Sequence, residues 1–136
     1  MVKLSIDFGR IGYLKDTLVP PLKTIVANTG KYGYGVFCTR PIMKGEIIEE
    51  CLVAKDRIPY GNNVFKHYRI KGVEVAPGKY DKVIALGNAV IYNHSSYPNI
   101  FFKENKNYER IITIYALRNI SPGEELCWNY GYTPKQ

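Results

Sequence analysis

"ALGNAVIYNHSSYPN", residues 85–99, is the stretch on which the reading of this chain turns. An apolar run leads through Tyr92 into Asn93, His94, Ser95 and Ser96, and a Tyr-Pro-Asn turn follows. Taken alone, this is an Asn/Ser turn that holds one satisfied histidine. A metal reading of His94 needs companion ligands. No carboxylate stands near it, and the other histidine, His67, lies in a segment that reads as an exposed strand. A nucleophile reading needs a partner supplied by the fold, and no G-x-S-x-G pattern is present.

The rest of the composition narrows the choices. At 136 residues the chain has the length of one ordinary domain, and 46% hydrophobic residues are enough for a packed core. Nineteen Lys and Arg against twelve Asp and Glu give a net charge of +7, which favours anionic partners or an anionic cofactor. The basic residues are scattered, so no dedicated nucleic-acid arm and no direct nucleic-acid site are expected. Cys38, Cys51 and Cys127 are far apart and form no C-x-x-C pair. Each sits in an apolar run, so the expectation is three buried free thiols, no metal site, and a reducing, intracellular compartment: cytoplasm or nucleus. No signal peptide is visible at the start "MVKLSIDFGR", and no apolar run reaches membrane-spanning length.

Short segments rich in Val, Ile, Tyr and Phe punctuate the chain. "KTIVA", "GVFCT", "EIIEECLVA", "FKHYRI", "GVEVA", "KVIAL" and "ERIITIYAL" all read as strands. In the last of these Ile112, Ile114 and Ala116 share one face and Ile111, Thr113 and Tyr115 the other; both are largely apolar, which predicts an interior strand. "RPIMKGEII" and "RNISPGEEL" form a matched pair, each placing a Pro/Gly turn before a strand. Helix signals are poor: Pro20 and Pro21 block one candidate, and no apolar stripe holds helical spacing over three turns. The expectation is a mostly β domain with one short helix or 3₁₀ turn. Residues 1–23 read as an N-terminal extension, and residues 24–136 as the domain.

Two further patterns stand with the opening one. In "KYGYGVF", residues 31–37, Gly33 and Gly35 flank Tyr34. A strand follows where a dinucleotide fingerprint needs a helix, so that reading is disfavoured and a hairpin turn is the plain one. "SPGEELCWNYGY", residues 121–132, runs along a strand into Trp128, Tyr130 and Tyr132. Clusters of this kind are usually core or interface, but a tyrosine hydroxyl among rings is also a polar group set in an apolar slot.

In order, "GYGVF", "KGEIIEE", "ALGNAVIYNHSSYPN" and "SPGEELCWNYGY" resemble the SET domain of protein-lysine methyltransferases. That family carries a GxG, an RFxNHSxxPN-like stretch and a GEELxxDY-like stretch. The resemblance covers roughly residues 24–132, and within the family the chain is most similar to the small stand-alone viral SET proteins of the chlorella virus type. It departs from the pattern at Asn129, where Asp is usual before the last tyrosine. It also departs at Tyr92 within "VIYNHS", and at Ser96, where a cysteine often follows. No cysteine-rich segment flanks the domain. A lid would then come from "GYTPKQ", from the extension or from a second subunit, and a homodimer is expected.

The resemblance implies a β-clip fold of small curled sheets. In it the NHS segment and the C-terminal tyrosine segment meet in a knot-like crossing. It implies S-adenosylmethionine as methyl donor, S-adenosylhomocysteine as product, and an exposed lysine on a histone or another basic protein as acceptor. Asn93 and His94 would hold the donor. The Asn93 amide suits its zwitterionic end because it can both donate and accept. His94 would act mainly through its backbone, its ring fixing the crossing. Gly33, Tyr34 and Gly35 would lie along the donor, with core packing the plainer role for the Tyr34 ring. Tyr92, Trp128 and Tyr132 are candidates for the wall of the lysine channel, and core packing is an equal alternative for Tyr92. Tyr130 matches the catalytic tyrosine.

The chemistry limits what Tyr130 can do. Deprotonating a lysine of pKa about 10.4 at pH 7 costs about 4–5 kcal/mol. A neutral tyrosine of pKa about 10 is too weak a base to supply that alone. Desolvation in an aromatic channel and repulsion by a nearby sulfonium disfavour the ammonium more effectively. Tyr130 is therefore expected to orient and polarise. The competing reading is a non-catalytic β-barrel that binds nucleic acid or a basic protein, since twelve tyrosines and a positive charge suit an oligonucleotide-binding surface as well.

Overall fold

Two Pro/Gly turns that look alike in the sequence lie side by side in space. A computed structural model of the chain describes residues 17–55, 69–76, 79–105 and 111–130. In it, Ile42 and Ile120 exchange both backbone hydrogen bonds, at 3.0 and 2.8 Å, as an isolated antiparallel bridge. Each turn closes by a bond from Glu N–H to the carbonyl three residues earlier, Glu46 to Met43 and Glu124 to Ser121. Gly45 and Gly123 occupy the third position of these turns with φ of 86° and 90°, the left-handed region in which a side chain would be strained. Both isoleucine side chains are buried, so the paired turns also anchor the core.

The strands are β1 Thr24–Asn28, β2 Tyr34–Cys38, β3 Ile47–Lys55, β4 Arg69–Ala76, β5 Lys79–Ala85, β6 Asn93–His94, β7 Ile100–Glu104, β8 Ile111–Ala116 and β9 Glu125–Trp128. A 3₁₀ turn, Gly87–Val90, joins β5 to the NHS segment. One sheet has the order β1-β2-β9-β6 and the other β4-β5-β3-β8-β7. The fold is mostly β with small curled sheets, as expected. β8 lies between β3 and β7, and Ile112, Ile114 and Ala116 are all buried, so the two-faced apolar strand is interior. "GVEVA" and the end of "FKHYRI" form the single strand β4; the start of "FKHYRI" lies outside the described residues. β7 was not foreseen. Its sequence IFFKE mixes buried Ile100 with exposed Phe101, and pairing with β8 over five positions defines it.

A β-bulge between Ile47 and Glu49 shifts the register of β3 against β8. Two successive side chains, Ile48 and Glu49, are consequently both buried, which strict alternation forbids. The core otherwise consists of mostly aliphatic residues from β2, β3, β5, β7, β8 and β9 with Tyr92 and Trp128, and Val36, Ile100, Ile112, Ile114 and Leu126 are fully enclosed. Each such side chain contributes about 1.5–3 kcal/mol relative to leaving it in water. Cys38 and Cys51 are buried free thiols and Cys127 is half-buried. Among the described residues no helix is long and apolar enough to cross a membrane.

β6 and β9 bring the two distant motifs together. They pair in parallel, Asn93 with Cys127 and His94 with Trp128. Asn99 staples the same two segments further along. Its side-chain Nδ2 donates to Glu125 O at 2.8 Å, its Oδ1 accepts from Cys127 N at 2.8 Å, and its own N–H donates to Cys127 O. A side-chain amide thus completes a ladder position that a neighbouring strand would otherwise fill.

Candidate functional site

Asn93 leaves β6 with its amide already committed. Nδ2 donates to Glu125 Oε2 at 2.7 Å and to the Tyr34 carbonyl at 3.2 Å. Both partners are acceptors, so the nitrogen must face them and Oδ1 must face away. The amide therefore offers an incoming ligand only an acceptor, where the sequence suggested both functions. Glu125, absent from the residues singled out by motif, fixes this orientation. Its place immediately before Leu126 on β9 was the available signal.

Gly35 makes that contact possible. A Cβ at this position would run into Glu125 Oε2 and come within 3.0 Å of Asn93 Nδ2. The space is occupied by protein, so Gly35 serves the close approach of β2 to Asn93. Gly33 differs: its φ is 75°, and nothing lies within 4 Å of where its Cβ would be, so backbone is presented to open space. Tyr34 between them is 63% exposed. Its ring does not pack in the core: alternation puts it on the face of Val36 and Cys38, but it stands at the exposed end of β2, beyond the buried part of the strand.

His94 and Tyr130 lock the end of the crossing. His94 Nδ1 accepts from the Tyr130 backbone N–H at 3.0 Å, and the rings stand 5.1 Å apart. Accepting at Nδ1 leaves the proton of a neutral ring on Nε2, an atom that is buried and has no hydrogen-bond partner among the described residues. The Tyr130 hydroxyl donates to the Tyr92 carbonyl at 2.6 Å. Tyr130 is 38% exposed, so its ring forms a rim between core and solvent.

Tyr92 and Trp128 sit behind this rim. Both rings are buried, and they meet edge to face at 5.3 Å; Phe102 also meets Trp128 edge to face, at 5.6 Å. Tyr92 reaches Tyr130 through its carbonyl; its ring points into the core. Its hydroxyl donates to Glu49 Oε1 at 2.7 Å, and burial pushes the Glu49 carboxyl above the usual carboxylate range. Tyr132 lies outside the described residues. Among the described residues no cluster of His, Cys, Asp and Glu could hold a metal ion.

The SET domain family model matches residues 33–131. A Schizosaccharomyces pombe histone-lysine N-methyltransferase specific for H3 lysine-37 is 27% identical over 113 residues, 78% of this chain and 71% of that protein. Human histone-lysine N-methyltransferase 2B is 32% identical over 114 residues, 79% of this chain but only 4% of that protein. In fold, the chain is similar to a crystal structure of a Plasmodium falciparum protein described as a histone methyltransferase. The TM-score is 0.63 at 27% identity, covering 82% of this chain and 95% of that one. With the NHS segment paired to β9, the strand that leads into Tyr130, and the family model spanning both, the chain belongs to the SET domain family.

Proposed function

We propose that the protein is an S-adenosylmethionine-dependent protein-lysine methyltransferase. The observation that carries this is the meeting of Asn93 and Tyr130 at one crossing, with the Tyr130 hydroxyl on the carbonyl next to Asn93. The acceptor is a lysine on a histone or another basic protein; the histone-lysine relatives support that class. By motif order the chain sits with the small stand-alone viral-type SET proteins. Residues 24–136 are the SET unit. The extension ends in contact with it, since Val19 N–H donates to Glu50 Oε1 and Val19 O accepts from Glu50 N–H. Action on histones would place it in the nucleus.

The donor set fits the proposed cofactor. Asn93 Oδ1, the one unspent group of its amide, can accept from the ammonium of the donor's amino-acid end. The Gly33 backbone and the exposed Tyr34 ring offer a flat, open approach beside it. When bound, S-adenosylmethionine supplies an activated methyl group and a positive charge. Tyr130 and the Tyr92 carbonyl then fix the position of the lysine nitrogen, where geometry supplies much of the rate. The carbonyl keeps the Tyr130 proton engaged, which suits a group that orients and does not deprotonate. The amine loses its proton to solvent. Tyr92 and Trp128, whose rings are buried in the core, support Tyr130 from behind, and Tyr132 is carried over as a candidate for the channel wall.

The decisive test is incubation with labelled S-adenosylmethionine and a panel of histones and ribosomal proteins. Labelled lysine is expected, and its loss in Tyr130→Phe with unchanged circular dichroism. Affinity for nucleic acid that falls with salt, with no labelling, would replace this reading by a binding module. A homodimer is also proposed. Ile25 and Val26 are exposed on the edge strand β1, and a monomer by sedimentation at micromolar concentration would refute it.

A further inference from the structure

Glu49 is a carboxyl in the core with no role in the chemistry above. It is 2% exposed, and the bulge in β3 turns it inward beside Ile48. Gly87 makes room for it: a Cβ there would come within 3.1 Å of Glu49 Oε2 and 3.3 Å of Cys51 Sγ. A buried carboxyl is costly, and an apolar pair at 49 and 92 could fill the same volume more cheaply. What the carboxyl adds is direction. Oε1 holds the far end of the Tyr92 ring at 2.7 Å, while the near end of the same residue carries the carbonyl that accepts from Tyr130 at 2.6 Å. Trp128 braces the ring from one side. With one end tied and one side braced, movement of the ring along its own axis is opposed, and a shift of the Tyr92 backbone strains the Glu49 bond.

We propose that Glu49 is a positioning residue for Tyr130, acting through Tyr92: the side chain tied at one end sets the carbonyl that holds the hydroxyl at the other. The proposal rests on the reading of Tyr130 as the catalytic tyrosine. It locates one determinant of turnover in the core of the second sheet, away from the donor and the lysine. Substitutions there should change kcat and leave the affinities alone.

The test compares Glu49→Gln, Glu49→Leu and the apolar pair Glu49→Leu/Tyr92→Phe in the full chain. Substrates are labelled S-adenosylmethionine and mixed histones, and Tyr130 carries a ¹³C label at Cζ. The Gln variant keeps an acceptor for the Tyr92 hydroxyl and should retain most of the turnover. The Leu variant and the apolar pair should lose kcat on the order of ten- to a hundredfold, with KM for both substrates unchanged. The Tyr130 ¹³Cζ resonance should move in these two and stay put in the Gln variant. The apolar pair keeps the core filled, so it covers the case in which the Leu variant fails to fold. A folded apolar pair with wild-type turnover and an unmoved Tyr130 resonance would overturn the proposal. If wild-type protein methylates nothing, the enzyme reading fails, and the resonance still decides whether Glu49 positions Tyr130.

Discussion

The hydroxyl of Tyr130 donates to the backbone carbonyl of Tyr92 across 2.6 Å, joining residues 38 positions apart. The Tyr130 backbone N–H meanwhile donates to His94 Nδ1, so the tyrosine is held at both ends by the NHS segment. The hydroxyl is thus anchored on a main-chain carbonyl immediately before β6, and the Tyr130 backbone on the ring of His94 within β6.

Tyr130→Phe removes one of these holds and leaves the other. Unfolding free energy should fall by only about 0.5–1.5 kcal/mol, the usual net worth of such a bond. Methyl transfer should drop on the order of a hundredfold. Denaturant titration and single-turnover labelling measure the two effects; equal fractional losses in both would mean that the hydroxyl is merely structural.

Asn93→Asp swaps the donor nitrogen for an oxygen facing Glu125. Where a 2.7 Å hydrogen bond stood, two carboxylates would meet. One of them must take up a proton or move away. S-adenosylmethionine affinity by calorimetry should be weak at pH 8 and recover in part at pH 5.5. An affinity equal to wild type at both pH values would show that Glu125 does not orient this amide.

Gly35→Ala introduces a methyl group where Glu125 Oε2 and Asn93 Nδ2 already stand. Overpacking of this kind costs about 1–3 kcal/mol. Cofactor affinity should fall with stability, because the strain acts on the Asn93 amide. Gly33→Ala meets no atoms but forces a side chain into φ of 75°, so its cost should be conformational alone.

Asn99→Ala would strip partners from Glu125 O and Cys127 N on β9. Each group left unpaired in the interior costs about 1–3 kcal/mol. A lowered denaturant midpoint with an unchanged m-value is the expected result.

Glu49 makes stability depend on pH. Burial raises its folded pKa, against smaller opposing effects of the Tyr92 hydroxyl and the Asn88 N–H; Tyr92 and Cys51 are the titratable groups facing it. A folded state that binds the proton more tightly gains its full advantage below the unfolded carboxylate value of about 4.3. That advantage is lost as pH rises through the folded pKa. Glu49→Gln cannot titrate there. The Tm of this variant relative to wild type should therefore climb from about pH 4 upward and level off once Glu49 is ionised in the folded protein. A constant difference between pH 4 and 8 would mean that the carboxyl titrates alike in both states.

Thiol chemistry follows from the same physics. Burial and the Glu125 charge push Cys127 up to about 11, with Arg118 opposing. At pH 8 its thiolate fraction is on the order of one in a thousand, so a disulfide reagent should modify native protein slowly and unfolded protein at once.

The local order of the chain was written in local chemistry. β-branched runs set most of the strands, Pro/Gly pairs set the two turns, and the NHS and GEEL stretches set the family. β7 escaped because its five residues alternate poorly on their own and become a strand only by pairing with β8. The inward turn of Glu49 depends on a bulge, and a bulge is a mismatch between two strands that neither strand encodes alone. Asn93 could be proposed from sequence as a cofactor contact, but the atom it has to offer could not. That depended on Glu125 and the Tyr34 carbonyl claiming its nitrogen from two other strands. Residue types and spacing are properties of a neighbourhood along the chain, whereas a hydrogen-bonding group is spent or free according to what the fold brings within about 3 Å of it.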